Sequence, residues 1–212
     1  MNRGKFIALE GGEGTGKSTQ SRLLAAALQE GGIDVVVTRE PGGTPGAEAI
    51  RSLLLDPPGD GWGPRAEALL FAAARSDHVE KTILPSLDAG KWVVCDRFLD
   101  SSRAYQGGAG GVGDEVVLAL HTIGSKGLRP DLTLLVQVPP ARVAARLAER
   151  DGDTSDAIGG RDASYHADVA ASFSLFVEQE PGQFAVIDGD AAPEEVHKRI
   201  MAAIAPLLDT PA

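Results

Sequence analysis

Residues 9–20 read LEGGEGTGKSTQ, and within them Gly11, Gly16, Lys17 and Ser18 fall on the spacing G-x-x-x-x-G-K-[ST]. Such a loop holds the phosphates of a nucleotide. Its glycines let backbone N–H groups converge on phosphate oxygens at the start of a helix. Lys17 neutralises the outer phosphates, and the Ser18 hydroxyl is a ligand for Mg²⁺. Gly11, Gly12, Glu13, Gly14, Thr15, Gly16, Lys17, Ser18 and Thr19 are therefore the candidate phosphate-binding residues. The loop alone does not say where a phosphoryl group goes, because kinases, switch GTPases and motor ATPases share it. The guanine-reading N-K-x-D of switch proteins does not occur downstream.

An acceptor would have to be held by other residues, and three stretches carry suitable ones. In LLFAAARSDH (69–78), Phe71 and Arg75 are spaced i, i+4 in an alanine-rich helical stretch, so they leave one face about 5–6 Å apart at Cβ. A ring stacked on a flat heterocycle, beside a guanidinium on its carbonyl edge, would read a base. The same spacing also suits a core phenylalanine and a solvated arginine. In WVVCDRFLDSSRAYQG (92–107), Asp96 and Arg97 follow a buried-type strand and emerge at the carboxyl edge of the sheet, where open α/β proteins bind ligands. Asp96 can hold Mg²⁺ or its waters beside Ser18, and Arg97 can reach phosphate oxygens. Ser101, Tyr105 and Gln106 add polar groups and a ring on a short helical turn. In TREPGGTPGAEAIR (38–51), a tight turn follows the second strand and Arg51 lies on the next helix. Arg39, Arg51, Arg75, Arg97 and Arg103 would form a second anion site facing the phosphate loop if the fold gathers several of them.

The elements that must position these residues show in the periodicity. Apolar β-type runs occur at 6–9, 35–37, 92–95, 132–138 and 184–187, with helical spacing between them. Strands alternating with helices predict a parallel sheet covered on both faces. Val196, Ile200, Ile204 and Leu207 mark a helix that Pro193 opens, and Val116, Leu120 and Ile123 mark another over 114–124. GGAGGVG (107–113) and the stretch 150–164 have little to bury and are expected to be mobile loops, the second a lid of about 15 residues.

The chain of 212 residues suits one α/β domain over 1–212. Its net charge of −10 argues against a nucleic-acid partner. The single cysteine, Cys95, allows no intrachain disulfide, and no apolar run approaches membrane-spanning length. The expectation is a cytoplasmic protein with no membrane partner. His78, His121, His166 and His197 lack metal-ligand spacing, and Cys95 reads as a buried, inert thiol.

Taken together, these residues resemble the thymidylate kinases, in the bacterial branch of the P-loop nucleoside monophosphate kinases. The likeness runs from FIALEGGEGTGKSTQ through REPGGT, LLFAAARSDH and DRFLDSSRAYQG to the C-terminal helix. EPGGT together with DRFLDSSRAYQG is far more specific than the phosphate loop. The resemblance implies a three-layer α/β fold with a five-stranded parallel sheet flanked by helices, a mobile lid, and a homodimer. It implies ATP in the loop with Mg²⁺ on Ser18 and Asp96, dTMP in the facing cleft, and phosphorylation of dTMP to dTDP. Phe71 would stack on thymine, and Arg75 would bond its carbonyl edge, with Ser101 and Gln106 nearby. Tyr105 would sit where a ribose 2′-hydroxyl would intrude, Glu13 would approach the 3′-hydroxyl, and Arg51 and Arg97 would clamp the acceptor phosphate. Lys17, Asp96 and Arg97 are then the catalytic candidates. One branch of the family carries an arginine inside the loop where this chain has Gly14, so the missing cation should come from the lid, as Arg150 or Arg161. The lid departs from the pattern, lacking an arginine-dense run and being shortened before YHADVAASF. A kinase for another monophosphate, such as dUMP, and a non-catalytic nucleotide-binding module are the alternatives.

Overall fold

The computed structural model describes residues 3–151 and 157–208, excluding the side chains of 147–151. Five strands, β1 (Phe6–Glu10), β2 (Val35–Arg39), β3 (Trp92–Asp96), β4 (Leu132–Gln137) and β5 (Phe184–Asp188), form one parallel sheet in the order β2-β3-β1-β4-β5. Every expected strand is present. The chain leaves β1 toward one edge and later returns to its other side, so the crevice beyond the carboxyl end of β1 is the natural ligand position.

Alternation along each strand sends side chains to opposite faces. Ile7 and Leu9 pack with Val94, Leu134 and Val136 against Leu24 and Leu28 of α1 (Lys17–Glu30) and against Val196, Ile200 and Ile204 of a C-terminal helix, Pro193–Leu208. Phe6, Ala8, Val93 and Cys95 face the other layer, with Val79, Ile83, Leu87, Phe98 and Val117. Helices therefore cover both faces, which explains why the strands read as continuous apolar runs.

Between β2 and β3 lie α2 (Pro45–Leu55), α3 (Pro64–His78), a wide π-type turn over Val79–Ile83, and α4 (Leu84–Asp88). Thr44 caps α2 by accepting the Ala47 amide at 3.1 Å, with Pro45 in the first turn. After β3 come α5 (Leu99–Ser102), a π-type segment Arg103–Ala109, and α6 (Asp114–Ser125). The helical segment thus takes in the first three residues of the expected loop at 107–113, and the loop proper is confined to 110–113. The reason lies in the packing of α8 (Ala163–Gln179): a Cβ on Gly108 would sit 2.2 Å from Ser172 Oγ, so the glycine allows close helix contact instead of marking a flexible loop.

In the expected lid, α7 (Pro140–Asp151) already covers Arg150 and Asp151, and α8 begins before the stretch ends. Of the rest, Ile158 is buried against Leu135, Val169 and Phe173, and Ala157 N donates to Leu55 O at 3.4 Å. The helix Pro193–Leu208 is α9.

Candidate active site

The phosphate loop leaves β1 at Gly11, whose φ of 136° belongs to glycine and whose missing Cβ would come within 2.4 Å of the Val136 carbonyl oxygen on β4. Lys17 is the first residue of α1 and folds back over the loop, donating to Gly12 O at 2.5 Å and Thr15 Oγ1 at 3.4 Å. Burial, and then the cation of Arg97, lower its pKa to about 8, against the pull of Glu13, Asp96 and Glu10.

The other wall is built at the end of β3. Ser18 Oγ donates to the Asp96 carboxylate at 2.5 Å. Arg97 adopts φ 68°, a conformation that non-glycine residues hold only under constraint. The constraint is visible. Arg97 N donates to Leu9 O at 2.9 Å, and the fully buried Glu10 carboxylate accepts the amides of Phe98 and Ser101 at 2.8 and 3.0 Å and the Ser101 hydroxyl at 2.5 Å. Burial, aided by Asp100, pushes the Glu10 carboxyl up to about 7 despite these donors. The Arg97 guanidinium then ties the two walls together. It donates to Gly11 O at 3.0 Å, Ser101 Oγ at 3.1 Å and Glu13 at 2.5 Å, and lies 5.0 Å from the centroid of the Tyr105 ring.

A cleft of about 490 Å³ runs from Lys17, Ser18 and Thr19 past Asp96 and Arg97 to Phe71, Tyr105 and Gln106, with Arg39 and Arg51 on its α2 side. Its size suits small-molecule ligands. Arg51 Nη1 donates to Pro41 O at 2.8 Å, and Arg39 pairs with Glu48. Of the five arginines singled out in the sequence, Arg39, Arg51 and Arg97 line this cleft. Arg75 stands behind the wall. It is 3% exposed and donates from Nε to Glu40 at 2.7 Å and from Nη2 to Phe98 O and Ser102 Oγ. Burial opposes the charge of Glu40, but Arg75 and His78 outweigh it and hold its pKa below the usual value. Arg103 is structural, bonded to Asp100 and Asp114 with its guanidinium 4.0 Å from the centroid of the Phe176 ring.

Arg161 does not line the cleft. It pairs with Glu67 and the Tyr165 hydroxyl and borders a separate cavity. The Arg150 side chain lies outside the described residues. Arg146, one helical turn before Arg150 on α7, does line the cleft and donates to Gly189 O at 3.1 Å. The i, i+4 spacing of Arg146 and Arg150 is the signal that could have found it.

Ser18 and Asp96 offer hard oxygens beside Lys17, which fits Mg²⁺, an ion that needs few protein ligands when phosphates supply the rest. Among the described residues no three His, Cys, Asp or Glu form a self-sufficient metal cage. Cys95 is buried, and burial raises its thiol pKa.

The profile of the thymidylate kinase family matches residues 9–200. A thymidylate kinase of Rhizorhabdus wittichii is 57% identical over 205 residues, covering 97% of this chain and 99% of that protein. One from Rhodopseudomonas palustris is 49% identical over 204 residues, covering 95% and 89% of the two. The crystal structure of thymidylate kinase from Ehrlichia chaffeensis superposes with a TM-score of 0.76 at 32% identity, covering 95% of this chain and 99% of that one.

Proposed function

The chain belongs to the thymidylate kinase family and phosphorylates dTMP to dTDP with ATP, and from that premise we propose which of its residues carry the reaction. The observation that supports the assignment best is the single cleft shared by the phosphate loop, Arg97 and the Phe71–Tyr105–Gln106 wall. The whole chain acts as one kinase domain; residues 152–156 of the expected lid lie outside the described residues.

ATP lies with its phosphates on residues 11–19 and under Lys17. The dTMP base stacks on Phe71 with its polar edge toward Gln106. Arg75 backs this pocket with Nε and Nη2 committed to Glu40, Phe98 and Ser102, so that a base carbonyl would be met by Nη1. Tyr105 fills the space beside the sugar, and Glu13 faces its 3′-hydroxyl. Arg51 and Arg97 hold the acceptor phosphate. That phosphate needs no strong base, because its second pKa near 6 leaves a nucleophilic oxygen at neutral pH. The protein's task is in-line positioning with cations around the transferring group. Lys17 and Arg97 act from the two walls, and Arg146 acts from α7 in place of the arginine that Gly14 lacks. Ser18 and Asp96 would hold Mg²⁺, which supplies charge neutralisation to the phosphates when bound.

We further assign a homodimer, supported by Leu69 on α3 and Val116 and Ile123 on α6, large apolar side chains exposed on helices that pack side by side. Sedimentation at the mass of one chain would refute it. A cytoplasmic location is supported by the lone reduced cysteine. No helix among the described residues is long and apolar enough to cross a membrane.

The test of the kinase assignment is ADP release from ATP and Mg²⁺ with dTMP, dUMP, ribo-TMP, dCMP, dGMP and AMP in parallel. Strong turnover with dTMP and weak turnover with ribo-TMP is the expected result. ATP binding without turnover on any acceptor would refute it.

A further inference from the structure

We propose that Glu67, which does not line the cleft, is a specificity-determining residue: it fixes which end of the Gln106 amide faces the acceptor base. The inference rests on the reading that the base lies between Phe71 and Gln106.

Glu67 sits in the first turn of α3 and is 8% exposed. One of its carboxylate oxygens accepts from Gln106 Nε2 at 2.9 Å, and the other accepts from Arg161. The two ends of a glutamine amide are nearly identical in shape, so only their partners tell them apart. A carboxylate can only accept, so the nitrogen must face Glu67 and the oxygen must turn away. Packing alone does not impose this sense. Gln106 also borders a second cavity of about 500 Å³, shared with Trp62, Pro64, Glu67, Arg161 and Tyr165, so its amide is not walled in by apolar side chains.

The result is an acceptor of defined direction. Gln106 is 2% exposed and its Oε1 has no hydrogen-bond partner among the described residues. A buried acceptor of this kind favours a ligand that brings a donor. Thymine and uracil carry N3–H between two carbonyls. Cytosine carries a bare nitrogen at the same place, which would meet Oε1 lone pair to lone pair. Glu67 thus acts as a positioning residue, selecting a pyrimidine with a ring N–H without touching it.

The test uses kcat/KM for dTMP, dUMP and dCMP with the full chain. In Glu67→Gln the Arg161 guanidinium claims the amide oxygen of residue 67, so its nitrogen faces Gln106 and the Gln106 amide turns over. The dTMP:dCMP ratio should fall by about tenfold or more. The dTMP:dUMP ratio should stay within about twofold, because both bases carry N3–H; loosened packing would instead disturb both ratios. Exchanging the residues, Glu67→Gln with Gln106→Glu, restores an acceptor-only group toward the base and should recover the discrimination, which also covers the case in which the single variant does not fold. An unchanged dTMP:dCMP ratio in Glu67→Gln, or an exchange that stays as permissive as the single variant, overturns the proposal. Gln106→Leu separates the two levels. If it also leaves the ratio unchanged, the base is not read at Gln106 and the underlying site assignment fails. If it lowers the ratio while Glu67→Gln does not, only the role of Glu67 fails.

Discussion

Replacing Glu10 by glutamine should make the protein more stable at alkaline pH and less active. The Glu10 carboxyl is fully buried, and burial raises its pKa from 4.5 to about 7. The native state therefore binds this proton more tightly than the unfolded chain does. Stability is lost as pH rises from 4.5, and the loss is complete above about 7. Each pH unit of that interval is worth about 1.4 kcal/mol, so the full loss is about 3 kcal/mol. Glutamine does not titrate and keeps an oxygen for the Phe98 and Ser101 amides. It does reverse the bond to the Ser101 hydroxyl, at a cost of about 1 kcal/mol. Urea unfolding of both proteins at pH 4.5 and pH 8 measures the effect. The variant should gain about 3 kcal/mol on wild type between the two pH values, whatever the other carboxylates do, because they are common to both proteins. A stability difference that is the same at both pH values would refute the reasoning. Turnover should fall at the same time, because Ser101 Oγ must then accept from both residue 10 and Arg97, and its own proton loses the carboxylate that fixed the hydroxyl beside Arg97.

Three further outcomes follow from the same geometry. Lys17 has a pKa of about 8, and phosphate can only raise it, so ATP binding should take up a proton near that pH. Affinity should then weaken as pH rises above 8, which titration calorimetry in two buffers would detect; affinity constant to pH 9.5 would contradict it. Arg75→Ala leaves the buried Glu40 with His78 alone and should cost about 3–5 kcal/mol of stability, read by chemical denaturation. A variant as stable as wild type would show that the pair is dispensable. Arg146→Ala should lower kcat on the order of 10²-fold while changing the KM for dTMP little, and an unaltered kcat would remove Arg146 from the transition state.

The strands were legible because a sheet covered on both faces needs unbroken apolar runs, and the motifs were legible because their chemistry is local. The order β2-β3-β1-β4-β5 was not, since pairing is non-local; the family resemblance implied only five parallel strands. Arginine roles were legible only in part. Phe71 and Arg75 share a helix face as their spacing requires, but Glu40, 35 residues earlier, turns Arg75 into the wall. Nothing local announces that partner. Gly108 misled for a related reason: in isolation it signals flexibility, whereas here it admits α8. The same blindness hid Arg146, whose place on the cleft depends on how α7 meets the sheet.

A chain with 30 acidic and 20 basic residues nonetheless gathers Lys17, Arg39, Arg51, Arg97 and Arg146 around one cleft, and its carboxylates help explain how. Glu13, Glu40, Glu48 and Glu67 pair with Arg97, Arg75, Arg39 and Arg161, respectively. These pairs differ in burial, and that decides what each can do. Arg39 and Glu48 are 55% and 42% exposed, so their pair adds little stability and can yield to a phosphate. Arg75 and Glu40 are 3% and 2% exposed, and separating them would leave a charge uncompensated in the interior. Arg97 and Glu13, at 16% and 28%, lie between these limits, and Arg97 also holds the Gly11 carbonyl and Ser101. The gradient assigns the work. Arg75 gives the pocket fixed shape, Arg97 joins the walls while lining the cleft, and of the three Arg39 is the cation freest to change partner. Net charge is silent on this arrangement, because the acidic residues that lower it are the ones that aim the arginines.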